Sequence, residues 1–142
     1  MYKVLICGSR TFHDELAIRA VIQNLKAQYY PKGTLRIIEG AAAGADTLAG
    51  CIAEELGLEV VEYPANWELH GRAAGVIRNT LMLENELPDL VIAFANVMPV
   101  GAGIPLTPGT QDMVVKAIRA GVPVQIHIPR QESASVRADT AK

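Results

Sequence analysis

The sequence predicts an α/β fold, a three-layer αβα sandwich built around a parallel sheet of about five strands. Short apolar runs alternate with amphipathic segments through most of the chain, which is the pattern of repeated strand–helix–strand units. The runs are nearly continuous in apolar residues, as expected of parallel strands covered on both faces. The chain has 142 residues, half of them hydrophobic, so it is long enough for one domain with a substantial core.

The first predicted unit is a strand over residues 4–7 and the helix that follows it. The segment Thr11-Phe12-His13-Asp14 has the spacing of a capping box, which predicts that the helix opens at Thr11. Apolar residues one turn apart then form the buried stripe of the helix. The stripe residues are Ala17, Val21 and Leu25.

The second unit is a strand over residues 35–38 that ends in the glycine- and alanine-rich loop 40–46. A helix follows this loop, and Gly57 is a natural end for it because glycine adopts the left-handed conformation of a C-terminal cap without strain. Residues at helical spacing mark this helix. They are Leu48, Ile52 and Leu56.

The same alternation continues to the end of the apolar sequence. It predicts a strand over 58–63, a loop over 64–70, a helix over 72–84 and a fourth strand from 88 to 94. After the long apolar loop 95–108, we expect a helix over about 109–120, capped by Gly121, and a last strand over 122–128. The two expected regions are a domain over residues 1–129 and a polar, disordered tail over 130–142.

Composition limits the class of protein. The net charge of −2 and the pI near 5.9 do not predict a basic surface for duplex nucleic acid, so we do not expect nucleic acid as a partner. The two cysteines lack metal-ligand spacing, and we expect reduced thiols, no metal and no cofactor. The uncharged stretch 90–111 contains prolines and glycines that would break a membrane helix. These features predict a cytoplasmic protein.

The residues that point to chemistry fall in loops after the predicted strands. Ligands of open parallel sheets lie outside the carboxyl ends of the strands, where glycine loops, helix N-termini, hydroxyls and arginines suit a phosphate group. The sequence therefore predicts a phosphate-bearing, nucleotide-like ligand at this edge. The expected ligand-binding residues are Gly8, Ser9, Arg10, Gly44, Ala45, Asp46, Trp67, Arg72, Arg78, Asn79, Gly109 and Thr110.

Each of these features also has an ordinary structural interpretation. Arg72 and Arg78 fit the solvated face of a helix, and Asp46 fits a helix cap. Trp67 fits either local packing or a surface on which a base stacks. Cys7 is better interpreted as a small core residue than as a nucleophile. The coincidence of several such loops on one sheet edge favours the ligand site.

Five motifs in order resemble the YspA-like branch of the SLOG superfamily, over Val4 to about Val124. They are Gly8-Ser9-Arg10 with Phe12 and Asp14, Gly40-x-x-x-Gly44-Ala45-Asp46, Trp67-x-x-His70-Gly71-Arg72-Ala73-Ala74-Gly75-x-x-Arg78-Asn79-x-x-Met82, Pro88-Asp89-Leu90-Val91-Ile92-Ala93-Phe94 and Gly109-Thr110-x-Asp112-Met113. The resemblance implies a Rossmann-like sheet, binding of a nucleotide or nucleotide derivative, and self-association into a homo-oligomer.

Within that superfamily, the LOG enzymes cleave nucleoside monophosphates with an arginine and a glutamate. Arg78 stands at the arginine position, but Met113 stands at the glutamate position, and a thioether can neither ionise nor accept a proton as a carboxylate does. Asp112 is adjacent, yet one residue along a helix turns the side chain by about 100°. The candidate catalytic residues are therefore Arg78 and Asp112, with Asp14 and Asp46 as further carboxylates.

Three functions follow from these residues and the resemblance. The leading hypothesis is a non-catalytic module that senses or sequesters a nucleotide or an ADP-ribose-like metabolite. The first alternative is a LOG-like nucleoside monophosphate phosphoribohydrolase. The second is DprA-like binding of single-stranded DNA, against which the acidic pI argues.

Overall fold

The computed structural model describes residues 1–30, 34–96 and 106–128. Within these residues, five parallel strands form one sheet in the order β3-β2-β1-β4-β5, which confirms the predicted α/β class. The strands are β1 (Tyr2–Gly8), β2 (Leu35–Glu39), β3 (Glu59–Glu62), β4 (Leu90–Phe94) and β5 (Val124–His127). The helices are α1 (Glu15–Tyr29), α2 (Ala45–Glu55), α3 (Trp67–His70), α4 (Ala74–Glu86) and α5 (Pro108–Arg119).

Alternate side chains of the central strands fill two separate cores. Val4 and Ile6 of β1 pack with α1 and α2 on one face. Leu5 and Cys7 pack with α4 and α5 on the other face. This alternation follows from the two-residue period of a strand, and it explains why both kinds of strand position are apolar.

The first helix begins three residues later than the capping box predicts, because its N-cap is Asp14 and not Thr11. Asp14 is its N-cap, and the carboxylate oxygen of Asp14 accepts a hydrogen bond from the Ala17 N–H at 3.1 Å. The Thr11 hydroxyl lies within hydrogen-bonding distance of the Ser9 hydroxyl and is therefore not the cap. The buried residues of the helix are Ile18, Ile22 and Leu25, so Leu25 is confirmed, whereas Ala17 and Val21 are replaced by the residues that follow them.

The loop predicted over residues 64–70 contains the single-turn helix α3. Its N-cap is Asn66, whose side-chain oxygen accepts a hydrogen bond from the Leu69 N–H at 3.0 Å. A 3₁₀ turn over 71–73 follows, so α4 begins at Ala74 instead of residue 72. An asparagine is a preferred N-cap residue, so Asn66 was the local signal for this helix. The prolines and glycines around it led to the prediction of a loop instead.

Two predictions fall largely outside the described residues. These are the polar tail over 130–142, together with the domain boundary at 129, and most of the loop over 95–108. Among the helices of the described residues, none is long and apolar enough to cross a membrane.

Candidate functional site

The main cleft lies at the point where the chain changes direction across the sheet. From the central pair, β1 is followed by α1 on one face, and β4 precedes α5 on the other. Divergent connections of this kind leave a crevice outside the carboxyl ends of the two strands. The cleft there has a volume of about 350 Å³ and is lined by residues 7–11, Ala42, Asp46 and residues 107–110.

The turn after β1 is fixed by its own neighbours. A side chain at Gly8 would overlap the Phe94 carbonyl and lie 2.7 Å from the Ala45 Cβ, so glycine is required here by packing. The Ser9 N–H donates to the Phe94 carbonyl at 3.1 Å. The Ser9 hydroxyl accepts from the Asn96 amide at 3.2 Å. Both polar groups of Ser9 therefore hold the turn in place.

The start of α2 is similarly occupied by contacts within the protein. Gly44 has φ +81° and lies so close to the backbone of Ser9 and Arg10 that any Cβ would overlap it. The Ala45 N–H donates to the Ser9 carbonyl at 3.2 Å. This N–H is thus already paired, and Gly44 acts by allowing the close approach of two backbones.

Asp46, in the first turn of α2, is a buried carboxylate in the wall of the cleft. The Gly40 and Ala42 N–H groups donate to its Oδ2 at 3.2 and 3.4 Å. Burial raises the pKa of Asp46 to about 6, although the charge of Arg78 and the two backbone N–H groups lower it. A perturbed carboxyl in a cleft is a frequent feature of functional sites.

The start of α5 differs from that of α2. Thr107 is the N-cap and Pro108 occupies the first helical position, where its missing N–H costs nothing. A Cβ at Gly109 would meet no atom of the described residues within 4 Å. The first turn carries no acidic residue, and the Thr110 hydroxyl accepts from the Thr107 hydroxyl at 3.0 Å. Helix N-termini of this kind attract anions.

Asn79 of α4 positions the start of α5. Its side-chain nitrogen donates to the Gly109 carbonyl at 3.2 Å and to Asp112 Oδ2 at 3.0 Å. Asp112 also accepts from Lys116 at 2.9 Å. Asp112 is therefore tied into the contact between α4 and α5 and does not line the cleft.

Arg78 is held beneath the loop that follows β2. Its Nη1 donates to the Gly40 carbonyl, and its Nε donates to the Asn79 side-chain oxygen at 3.0 Å. Burial lowers the pKa of Arg78, whereas the charge of Asp46 raises it. Arg78 therefore braces the loop and acts on the cleft through Asp46, and it is not part of the cleft wall.

Arg10 and Trp67 form a rim on one side of the cleft. The Arg10 guanidinium carbon lies 5.3 Å from the centre of the Trp67 ring, and 49% of Trp67 is exposed. Both residues line a second depression of about 310 Å³, with residues 40–43, Pro64 and Ala65. The two cavities share Arg10 and Ala42, so they adjoin each other along the sheet edge.

Three further positions matter for the chemistry predicted from the sequence. Met113 is completely buried in the core beneath α5. Arg72 is exposed on the 3₁₀ turn and does not line the cleft. Burial raises the pKa of the Cys7 thiol far above its usual range, and the Asp46 charge adds to this effect. Cys7 is thus a weak nucleophile, as expected of a small core residue.

Sequence reasoning missed several residues of the cleft and one beside it. Thr11, Ala42, Thr107 and Pro108 all line the cleft. The pair Thr107-Pro108 carried a signal, since a threonine followed by proline marks an N-cap and first helical position. Glu39 lies next to the cleft loop, and its Oε1 accepts from the Ala41 N–H. A charged residue at the end of an apolar run gave no sign that it would be fully buried.

Three comparisons with known proteins bear on this site. A family model described as the YspA, cpYpsA-related SLOG family matches residues 2–70. The Gene 61 protein of Mycobacterium phage D29 is 33% identical over 129 residues, which span 87% of this chain and 94% of that protein. The crystal structure of DNA processing protein A (DprA) from Streptococcus pneumoniae superposes with a TM-score of 0.53 at 18% identity. That match covers 87% of this chain but 58% of the DprA chain, and it concerns the fold alone.

Proposed function

We propose that this chain, which belongs to the YspA, cpYpsA-related SLOG family, binds a nucleotide or an ADP-ribose-like metabolite in the main cleft and holds it without cleaving it. Family membership supports a nucleotide-related function in general terms. The geometry of the cleft supports the choice of ligand and the choice of binding over cleavage.

The first turn of α5 is the observation on which the proposal depends. It faces the cleft with Gly109 and Thr110, and it has no acidic residue to oppose an anion. The first turn of a helix leaves N–H groups without partners inside the helix, and the helix dipole adds positive potential there. A phosphate group satisfies both features, so we assign the phosphate to this turn.

The rim formed by Arg10 and Trp67 supports a nucleotide over a simple phosphate. A half-exposed tryptophan offers a flat apolar face for a base, and stacking of this kind contributes about 1–3 kcal/mol per base. The depression beneath Trp67 adjoins the cleft through Arg10 and Ala42. A ligand with its phosphate on α5 and its base towards Trp67 would occupy both cavities.

The positions of Arg78, Asp112 and Met113 support holding over cleavage. Arg78 donates to the protein's own Gly40 carbonyl, and Asp112 is paired with Lys116. Met113 occupies the glutamate position of the LOG enzymes and is buried in the core. No described residue therefore places a carboxylate at the position where the LOG enzymes carry their glutamate.

A calorimetric screen of ligand-free protein tests the proposal. It uses ADP-ribose, cyclic ADP-ribose, NAD and mononucleotides, with release of free base from AMP measured in parallel. We expect binding of at least one of these ligands without base release. No binding to any of them would contradict the proposal. Release of base that is lost on Arg78→Ala would favour the phosphoribohydrolase, and salt-sensitive binding of oligonucleotides would favour the DNA-binding alternative.

A charge placed on α5 gives the matching variant. Gly109→Glu introduces a carboxylate into the cleft at a helix position that tolerates acidic residues, so it should abolish binding and preserve folding. Gln111→Glu is the control, because it adds the same charge two residues further along, on an exposed position outside the cleft wall. Equal loss of affinity in both variants would contradict the assignment of the phosphate to this turn.

A further inference from the structure

We infer that Asp46 selects the sugar of the ligand, with its Oδ1 accepting a hydrogen bond from a ribose hydroxyl, so that the cleft takes ribonucleotides in preference to their deoxy analogues. The inference rests on the proposed function, because it assumes a phosphate on α5. It adds the class of sugar and the residue that recognises it.

The two oxygens of the Asp46 carboxylate have different surroundings. Both hydrogen bonds from the backbone, from Gly40 and Ala42, fall on Oδ2. Oδ1 accepts no hydrogen bond from the part of the chain that the structure describes. Asp46 is only 5% exposed, yet it lines the cleft. Oδ1 is therefore the Asp46 oxygen that keeps access to the open cleft, and a ligand hydroxyl there can donate a hydrogen bond to it.

The carboxylate cannot turn to satisfy Oδ1 by other means. A Cβ at Gly40 would lie 2.9 Å from Asp46 Oδ2 and 2.8 Å from the guanidinium carbon of Arg78, so the space behind Oδ2 is filled. The Arg78 guanidinium is itself bonded to the Gly40 carbonyl. Arg78 and Gly40 therefore hold Oδ2 against the backbone, which leaves Oδ1 as the oxygen available to the cleft.

The charges in the cleft match a ligand with an anion at one end and hydroxyls at the other. Asp46 is the one carboxylate in the cleft wall of the described residues, and it repels a phosphate placed beside it. The first turn of α5, by contrast, attracts the phosphate. A ribose phosphate presents both groups, whereas inorganic phosphate or pyrophosphate offers Asp46 no hydroxyl beyond its own acid group. Ribose hydroxyls donate to a carboxylate strongly, because hydrogen bonds to charged groups exceed neutral ones.

Calorimetry with AMP, its 2′-deoxy and 3′-deoxy analogues and pyrophosphate tests the inference on the wild-type chain. We expect AMP to bind about tenfold more tightly than at least one deoxy analogue, since a hydrogen bond to a charged group is worth roughly that factor. Equal affinities for AMP and both analogues would overturn the role of Asp46 and leave the proposed function intact. Absence of binding by AMP and by both analogues would overturn the inference, and the proposed function would then be decided by the other ligands of the screen.

Asp46→Asn assigns the discrimination to this side chain. The backbone N–H groups of Gly40 and Ala42 require an acceptor, so they orient the amide oxygen towards themselves and place the NH₂ group in the cleft. We expect the AMP preference to fall to within about twofold while pyrophosphate binds at least as well as before, because the repelling charge is gone. A preference that survives in Asp46→Asn would overturn the inference.

A measurement on the wild type keeps the test independent of how the variant folds. The ¹³C resonance of the Asp46 carboxyl carbon should shift on saturation with AMP. It should shift less with the weaker-binding deoxy analogue at saturation. A carboxyl resonance that responds equally to both ligands would overturn the assignment.

Discussion

Helices α2 and α5 both begin at the carboxyl edge of the sheet, and their first turns contribute to opposite walls of one cleft. The α2 start is bonded to its surroundings, through the Ala45 N–H on Ser9 and the close approach of Gly44 to the β1 turn. The α5 start has no acidic residue, and Gly109 has open space around it among the described residues. The backbone of the α2 start is therefore part of the scaffold, whereas the backbone of the α5 start faces the ligand.

A glycine before a helix does not by itself identify a phosphate site. In both segments, glycine and a small or hydroxylated residue precede a polar side chain, and the sequence predicts a phosphate site at each. Only contacts from distant parts of the chain separate the two cases. At α2 the contact comes from Ser9, which lies 36 residues earlier than Ala45.

The largest expected effect is on stability at the α2 start. Gly44→Ala forces a Cβ into the backbone of Ser9 and Arg10 at a positive φ, and we expect a loss of about 3 kcal/mol or more in the free energy of unfolding. Gly109→Ala is the matched control, with a change of about 0.5 kcal/mol or less, because its Cβ would meet no atom within 4 Å among the residues that the structure describes. Urea unfolding of both variants provides the measurement. Equal destabilisation would remove the distinction between the two helix starts.

Substitution of Arg78 tests whether the loop between β2 and α2 depends on this side chain for its stability. Arg78→Met removes the hydrogen bonds to Gly40 and Asn79 and the cation whose charge acts most strongly on the buried Asp46, so we expect a loss of about 2 kcal/mol. Arg72→Met, on the exposed 3₁₀ turn, should change stability by about 0.5 kcal/mol or less. The comparison uses thermal and urea unfolding. A neutral Arg78→Met would mean that the loop does not depend on this brace.

Two threonines, Thr110 in α5 and Thr47 in α2, allow a test of which helix start binds the ligand. Thr110→Val removes a hydroxyl from the cleft wall, and we expect the proposed ligand to bind about tenfold more weakly. Thr47→Val, in the first turns of α2, removes a hydroxyl that donates to the Ala42 carbonyl at 2.7 Å outside the cleft wall. The affinity of the Thr47→Val variant for the proposed ligand should stay within about twofold of the wild-type affinity. Calorimetry measures both affinities. A larger loss of affinity in Thr47→Val than in Thr110→Val would contradict the assignment of the ligand to the α5 start.

A smaller effect is expected on the pH dependence of stability, through the buried Glu39 beneath α2. Burial raises the pKa of Glu39 to about 8, the Ala41 N–H lowers it, and the neighbouring Glu62 carboxylate raises it further. The folded chain therefore keeps a proton that the unfolded chain releases near pH 4.5, and this contribution to stability is lost as pH rises towards 8.

Glu39→Gln should flatten that dependence. Between pH 7 and 8, we expect the wild type to lose about 1 kcal/mol more stability than the variant. This window lies above the titration of Asp46, whose pKa is about 6. Urea unfolding at several pH values measures the slopes, and parallel slopes would show that Glu39 is ionised throughout.

Much of the fold was predictable because its signals are local. The strand and helix alternation, the glycine caps at Gly57 and Gly121 and the start of α2 all follow from short-range patterns, and the structure confirms them. The start of α1 was wrong because Thr11 and Asp14 are both good caps, and the tertiary contacts of Thr11 with Ser9 and Asn96 decide between them.

The candidate site was predictable in place but not in detail. The converging loops could be inferred from the order of strands and helices. The role of Arg78 depends on a carbonyl 38 residues away, and the burial of Glu39 depends on the close approach of α2 at Gly50. Neither contact can be recognised from the local sequence. Self-association, implied by the family resemblance, stays a prediction.

A ¹H–¹⁵N NMR titration with ADP-ribose tests the central claim most directly. If the phosphate lies on the α5 start, the amide resonances of Gly109 and Thr110 should move most, and those of Gly44 and Ala45 should move little. Shifts that are largest at Gly44 and Ala45, or the absence of any shift at Gly109 and Thr110, would contradict the account.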